Sequence, residues 1–274
     1  MPMTLLPHHA PIRALHVSPE AGQKLRAEAG RLPACRLTGR QLADLQLLVS
    51  GGFAPLRGFL TRADHDAVLD RMRLASGTLW PVPVVLDVGA DFAGTVEPGE
   101  DIALCDPQGA VMAILSLTDK WHPDKTREAE SLFGTADPAH PGVAWLHREV
   151  GPVYLGGPVK GLDAAGDIGR GPNGLRADFR QRGCPRVLAC DPADEAAAGH
   201  AARRIEAELL ATAGAPTRHA GAREALWQAL IRRNHGATHL LAPRDPAALA
   251  LLHDHCEELG LTLVGPEAGE DAAS

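Results

Sequence analysis

Two short apolar runs in this sequence are each followed at once by charged residues, the arrangement that places chemistry at the carboxyl end of a parallel strand. Arg186-Val187-Leu188-Ala189-Cys190 leads into Asp191-Pro192-Ala193-Asp194-Glu195, and Thr238-His239-Leu240-Leu241-Ala242 leads into Pro243-Arg244-Asp245. Arg244 and Asp245 are therefore candidate ligand contacts. Asp191, Asp194 and Glu195 cap a helix start well, because carboxylates suit the positive end of the helix dipole, but they repel an anion. Their alternative use is to hold Mg²⁺ or a cationic group.

Other side chains of the right type lack the right spacing. His235 and His239 stand four apart, but Gly236 interrupts the helix between them, which argues against a metal pair. His253 and His255 fall on different faces of one helix. Gly51, Gly52 and Gly58 read as turn residues, since no Lys-Ser/Thr follows to complete a phosphate loop. Trp80 and Trp227 read as core aromatics. The five cysteines, Cys35, Cys105, Cys184, Cys190 and Cys256, are odd in number and form no C-x-x-C pair, so they read as reduced thiols of a cytoplasmic protein.

Composition narrows the classes further. The 274 residues are 45% hydrophobic and 22% charged, which allows a sizeable core. With 27 Lys and Arg against 34 Asp and Glu, the net charge of −7 makes a poor general nucleic-acid or acidic-membrane binder. An anionic ligand must then be held by local arginines and backbone N–H groups. No apolar run reaches membrane-spanning length.

The elements that position these residues fall into two halves. The first is punctuated by Pro and Gly, with strands at Pro81–Val88, Asp101–Leu104 and Val111–Leu117, the last two forming a hairpin across Asp106-Pro107-Gln108-Gly109. Helical spacing covers Ala21–Ala29, Gly39–Ser50 (opened by Thr38 as N-cap) and Arg62–Met72. The expectation is an α+β, β-barrel-containing domain over residues 1–163. Glycine-rich connectors are read at Gly156-Gly157-Pro158 and Asp163–Pro172. From Gly171 strand and helix alternate: strand Arg186–Cys190, helix Asp194–Ala213, helix Ala222–Asn234, strand Thr238–Ala242, helix Asp245–Leu259 and strand Leu261–Val264. That alternation predicts a parallel α/β domain over 164–274, with a frayed acidic tail at Gly265–Ser274.

Three segments resemble the ATP sulfurylase (sulfate adenylyltransferase) family. Asp44-Leu45-Gln46-Leu47-Leu48 followed by Gly51-Gly52-Phe53-Ala54-Pro55-Leu56-Arg57-Gly58-Phe59 is similar to a signature of its PUA-like N-terminal domain. Met72-Arg73-Leu74 with Gly77-Thr78-Leu79-Trp80-Pro81-Val82-Pro83-Val84 resembles another. Arg218-His219-Ala220-Gly221-Ala222-Arg223-Glu224-Ala225-Leu226-Trp227, running on to Arg232-Arg233-Asn234-His235-Gly236-Ala237-Thr238-His239, resembles a segment of the catalytic domain. The resemblance implies a PUA-like domain followed by a truncated Rossmann-like, nucleotidyl-transferase-like domain, and an activity that joins sulfate to the α-phosphate of ATP.

Carried over position by position, that chemistry is incomplete here. The family's sulfate-holding glutamine and arginine correspond to Asp191 and Ala193, and its following asparagine to Asp194. Its two phosphate-binding histidines correspond to Ala197 and His200. In the loop after the later strand, Arg244 and Asp245 persist while the family's histidine is Pro246, and only Ala201–Thr217 stands where the family has a much longer stretch. The remnants that the resemblance assigns to substrate or ATP are His200, Arg218, Ala220, Gly221, Arg223, Arg244 and Asp245. It implies ATP with Mg²⁺ or adenylyl sulfate as ligand, and an adenylylsulfate kinase, an active sulfurylase or a second copy of the chain (a homo-oligomer) as partner. The leading expectation is a catalytically deficient homologue. An active adenylyltransferase and an RNA-binding PUA module are the competing readings.

Overall fold

The computed structural model describes residues 10–162, 171–211 and 214–266. The first half is built on a seven-stranded sheet. Its path runs β1 (Ala34–Arg36), β4 (Asp101–Cys105), β5 (Val111–Ser116), β7 (Val153–Gly161) and β2 (Gly58–Phe59), while β3 (Leu86–Val88) and β6 (Asp119–Trp121) also pair with β7. The expected β4–β5 hairpin is present, antiparallel from Asp101↔Ser116 to Cys105↔Val111. Helices α1 (Pro19–Ala29), α2 (Gly39–Ser50), α3 (Arg62–Arg71), α4 (Ala90–Ala93), α5 (Lys125–Phe133) and α6 (Pro141–Arg148) complete it. Thr38 opens α2 through a capping box with Gln41, which closes two backbone N–H groups at the helix start.

Two expectations fail here for identifiable reasons. Gly156-Gly157-Pro158 is not a connector but the middle of β7. The first part of that strand pairs with β3 and β6, and the second part with β5 and β2. A Cβ on Gly156 would lie 2.3 Å from the Leu60 carbonyl oxygen, and one on Gly157 (φ +154°) would lie 2.1 Å from that of Ser116. The glycine pair lets four strands converge on one. The expected strand Pro81–Val88 shortens to Leu86–Val88, because Pro81 and Pro83 have no N–H for a ladder; Val82 and Val84 are buried all the same.

The second half is a four-stranded parallel sheet in the order β11 (Thr262–Val264), β10 (His239–Leu241), β8 (Val187–Ala189), β9 (Glu208–Leu210). Helices α7 (Pro172–Gln181), α8 (Glu195–Arg204), α9 (Gly221–Asn234) and α10 (Pro246–Leu259) accompany it. The single helix expected over Asp194–Ala213 is corrected. It stops at Arg204, Glu206 turns to φ +53°, and Glu208–Leu210 pairs with β8. Alanine and leucine favour helix in isolation, but the open edge of β8 overrides that preference. Most of the expected connector (residues 163–170) and most of the acidic tail lie outside the described residues.

One apolar core joins the two halves. Phe53 lies between Trp80 (ring centroids 5.6 Å apart) and Trp227 (5.3 Å), and all three are fully buried. The same cluster runs on through Val187, Leu240 and Leu252. Asn234 donates to the Gly52 and Ala54 carbonyls at 2.9 and 2.8 Å, and Arg73 grips Glu258 with two 2.7 Å bonds.

Burial of two histidines sets a pH dependence. His235 is pushed below the ordinary histidine range by burial, with its Ile231 hydrogen bond opposing and Arg176 assisting; His239 is lowered by burial and by Arg186. Unfolding returns both rings to the ordinary value of about 6.5, so the unfolded chain binds more protons below it. This contribution to stability is complete above pH ~6.5 and declines as pH falls through that value. Urea midpoints are expected to be lower at pH 5.5 than at 7.5, and His239→Gln to narrow the difference. An unchanged difference would contradict this assignment.

Candidate functional site

The ligand end of the parallel sheet opens onto a cleft of about 600 Å³ lined by Asp191, Thr217, His219, Gly221, Glu224 and Gln228, together with His140 from the start of α6. Cys190 follows β8 and leads directly to Asp191, and a 3₁₀ turn over Pro192–Asp194 continues into α8. Asp191 is 60% exposed and accepts from the buried Arg232 at 2.5 Å. Asp194 lies 3.9 Å from Arg244, whose side chain is 81% exposed. Three carboxylates therefore stand at the start of α8, where an incoming anion would seek the helix N–H groups.

The segment from Thr217 to Glu224 is tied down from within. The Arg218 guanidinium donates to the Asp44 carboxylate of α2 and lies 5.3 Å above the Trp227 ring. Burial pushes the Asp44 carboxyl above the usual range, against the pull of Arg218 and Arg40. Glu224 accepts from the backbone N–H groups of Arg218 (3.0 Å) and Ala220 (3.1 Å). The carboxylate thus fills the position at the start of α9 that an anionic ligand would take. Arg223 donates to the Val68 and Leu69 carbonyls at 3.3 and 3.2 Å. His219, at φ +59°, uses its N–H on the Thr217 hydroxyl at 3.3 Å.

The residues singled out from sequence are therefore dispersed. Gly221 lines the cleft, next to the buried Ala220. Arg218 and Arg223 point into the junction with α2 and α3. His200 is exposed on α8, and Asp245 caps α10 by accepting from Ala248 N at 2.9 Å. Neither His200, Arg244 nor Asp245 lines the cleft. Among the described residues no group of His, Cys, Asp and Glu is arranged to hold a metal ion, and no helix is long and apolar enough to cross a membrane.

Sequence reasoning missed Asp44, Glu224's bridging role, Arg232 and His140. A signal existed for Asp44, since it occupies the apolar face of α2 together with Leu45 and Leu48. A carboxylate at such a position requires a buried partner.

Comparison with known proteins agrees with this architecture. Residues 5–164 match the family model of a PUA-like domain, and residues 200–261 match that of ATP-sulfurylase. A sulfate adenylyltransferase of Symbiobacterium thermophilum is 36% identical over 299 residues, covering 88% of this chain and 76% of that protein. Those of Schizosaccharomyces pombe and Eremothecium gossypii are 32% and 34% identical, covering 88% and 83% of this chain. The chain spans only 63% and 55% of the lengths of these two relatives. A solved structure, a hexameric APS kinase from Thiobacillus denitrificans, superposes with a TM-score of 0.71 at 24% identity, over 95% of this chain and 56% of that one. With a PUA-like first half, the sulfurylase match in the second and relatives above 30% identity along most of its length, the chain belongs to the sulfate adenylyltransferase family.

Proposed function

We propose that this chain is a catalytically deficient member of its family that serves sulfate activation as a structural or regulatory partner. One observation carries the reading: Arg218 Nη2, the backbone N–H groups of Arg218 and Ala220 and the Arg223 guanidinium are engaged by the protein's own acceptors, namely Asp44, Glu224 and the Val68 and Leu69 carbonyls. Adenylyl transfer needs preorganised donors facing the reacting phosphate, and loss of one typically costs ~3 kcal/mol, a hundred- to a thousandfold in rate. Here the start of α8 offers carboxylates instead. In this reading the parallel domain is a truncated nucleotidyl-transferase-like unit of Rossmann-like type, beginning near residue 164.

The open cleft supports a second reading, in which ATP or adenylyl sulfate binds without turnover. His200, Ala220, Gly221, Arg244 and Asp245 are the remnants to test for such contact. Candidate protein partners are an adenylylsulfate kinase and an active sulfurylase. The reverse reaction separates the readings. Supplied with adenylyl sulfate and pyrophosphate, the chain is expected to form no ATP above blank by luciferase detection, while calorimetry with adenylyl sulfate reports binding or its absence. ATP formation at a rate near that of an authentic sulfurylase would overturn the proposal.

A further inference from the structure

A second chamber of about 40 Å³, more enclosed than the cleft, lies beside α2, walled by Arg40, Asp44, Asp87, Glu128, Tyr154 and Arg218. Its polar groups are unevenly satisfied. Asp44 receives Arg218; Asp87 receives Gln41 (2.8 Å) and the Gly151 N–H (2.7 Å); Glu128 receives the Tyr154 hydroxyl (3.0 Å). Two cationic donors remain. Arg40 Nη1 and Arg218 Nε are sealed from solvent and have no hydrogen-bond acceptor among the described residues. The Arg218 side chain is 9% exposed, and Arg40 is pinned over the Trp145 ring at 3.9 Å, with Nη2 on the Thr217 carbonyl.

A sealed charged donor without an acceptor is costly, so this chamber calls for an occupant that accepts from both arginines. We propose that it is a binding site for one small monovalent anion of halide size, held between Arg40 and Arg218 where the two halves of the chain meet. Size sets the class. A chamber of about 40 Å³ has room for a few waters or one monatomic ion. Charge sets the valence. Carboxylates line the same wall (Asp44, Asp87 and Glu128), and Glu149 and Glu224 also act on Arg40, so a single negative charge is the most that the two guanidiniums and nearby Lys125 can hold. Arg40 and Arg218 also repel each other: burial first, and then Arg218, lowers the Arg40 pKa. An anion between them relieves that repulsion.

The site does not depend on whether the chain catalyses anything, and its test does not read activity. The full-length protein is crystallised and soaked in sodium bromide, and its thermal unfolding is compared in sodium bromide and sodium gluconate at equal ionic strength. The expected results are a bromide anomalous peak bridging Arg40 and Arg218 and an unfolding midpoint raised by about 2–4 °C in bromide. Arg40→Gln, at a half-buried position that leaves the Asp44–Arg218 pair in place, is expected to fold and to lose both signals. Waters alone in the chamber of the bromide-soaked crystal, or a bromide effect that Arg40→Gln retains, would overturn the proposal.

Discussion

Asp44→Ala is expected to destabilise the protein by about 3–5 kcal/mol, because it leaves the Arg218 guanidinium buried without its counter-charge. The two side chains are only 5% and 9% exposed, so water cannot replace the lost partner without opening the junction between α2 and α9. A domain of ordinary stability has about 5–15 kcal/mol in total, which makes this a large fraction of the whole. Equilibrium urea unfolding measures it directly. Asp44→Asn, which keeps an acceptor oxygen, should lose less. Combining Asp44→Ala with Arg218→Met should cost less than the two single changes added together, since each alone strands a charge that the double variant removes. A loss below ~1 kcal/mol for Asp44→Ala would mean that the pair is hydrated and contributes little.

Trp227→Ala is expected to cost a similar ~3–5 kcal/mol, by a different route. Its ring is fully buried against Phe53, which packs in turn on Trp80, so truncation opens a cavity where the apolar core passes from one half of the chain to the other. Because that core is continuous, both halves are expected to unfold together, in the wild type as in the variant. Far-ultraviolet circular dichroism and tryptophan fluorescence of the wild type should trace one coincident transition. Two separated transitions would show that the halves fold independently and that the Phe53–Trp227 contact is incidental. Trp227 also carries Arg218 over its face, so its truncation and Asp44→Ala should not be additive.

Much of the fold was legible because local rules and tertiary packing agree. The Thr38 capping box, the β4–β5 hairpin and the strand–helix alternation after Gly171 each follow from a short stretch read alone. What escaped depends on remote partners. β9 reads as helix until β8 offers it an edge, and Gly156-Gly157 reads as a connector until Leu60 and Ser116 are seen to press on it. The cleft was half legible. Asp191 and Gly221 were named from position and motif, whereas the engagement of Arg218 by Asp44 joins residues 174 apart, and no local pattern announces it. Arginines that a motif assigns to an anion can equally serve a carboxylate of the same chain, and only the fold distinguishes the two uses.

That distinction bears on catalysis most directly through sulfate-dependent pyrophosphate release from ATP with Mg²⁺, measured beside an authentic sulfurylase at equal enzyme concentration. Release at the rate of the protein-free blank is the expected result, with donors at the start of α9 and α8 engaged or opposed by Asp44, Glu224, Asp191, Asp194 and Glu195. Sulfate-dependent turnover within a hundredfold of the authentic enzyme would contradict the account, and would mean that Arg232 and Arg244 suffice to hold the reacting anions.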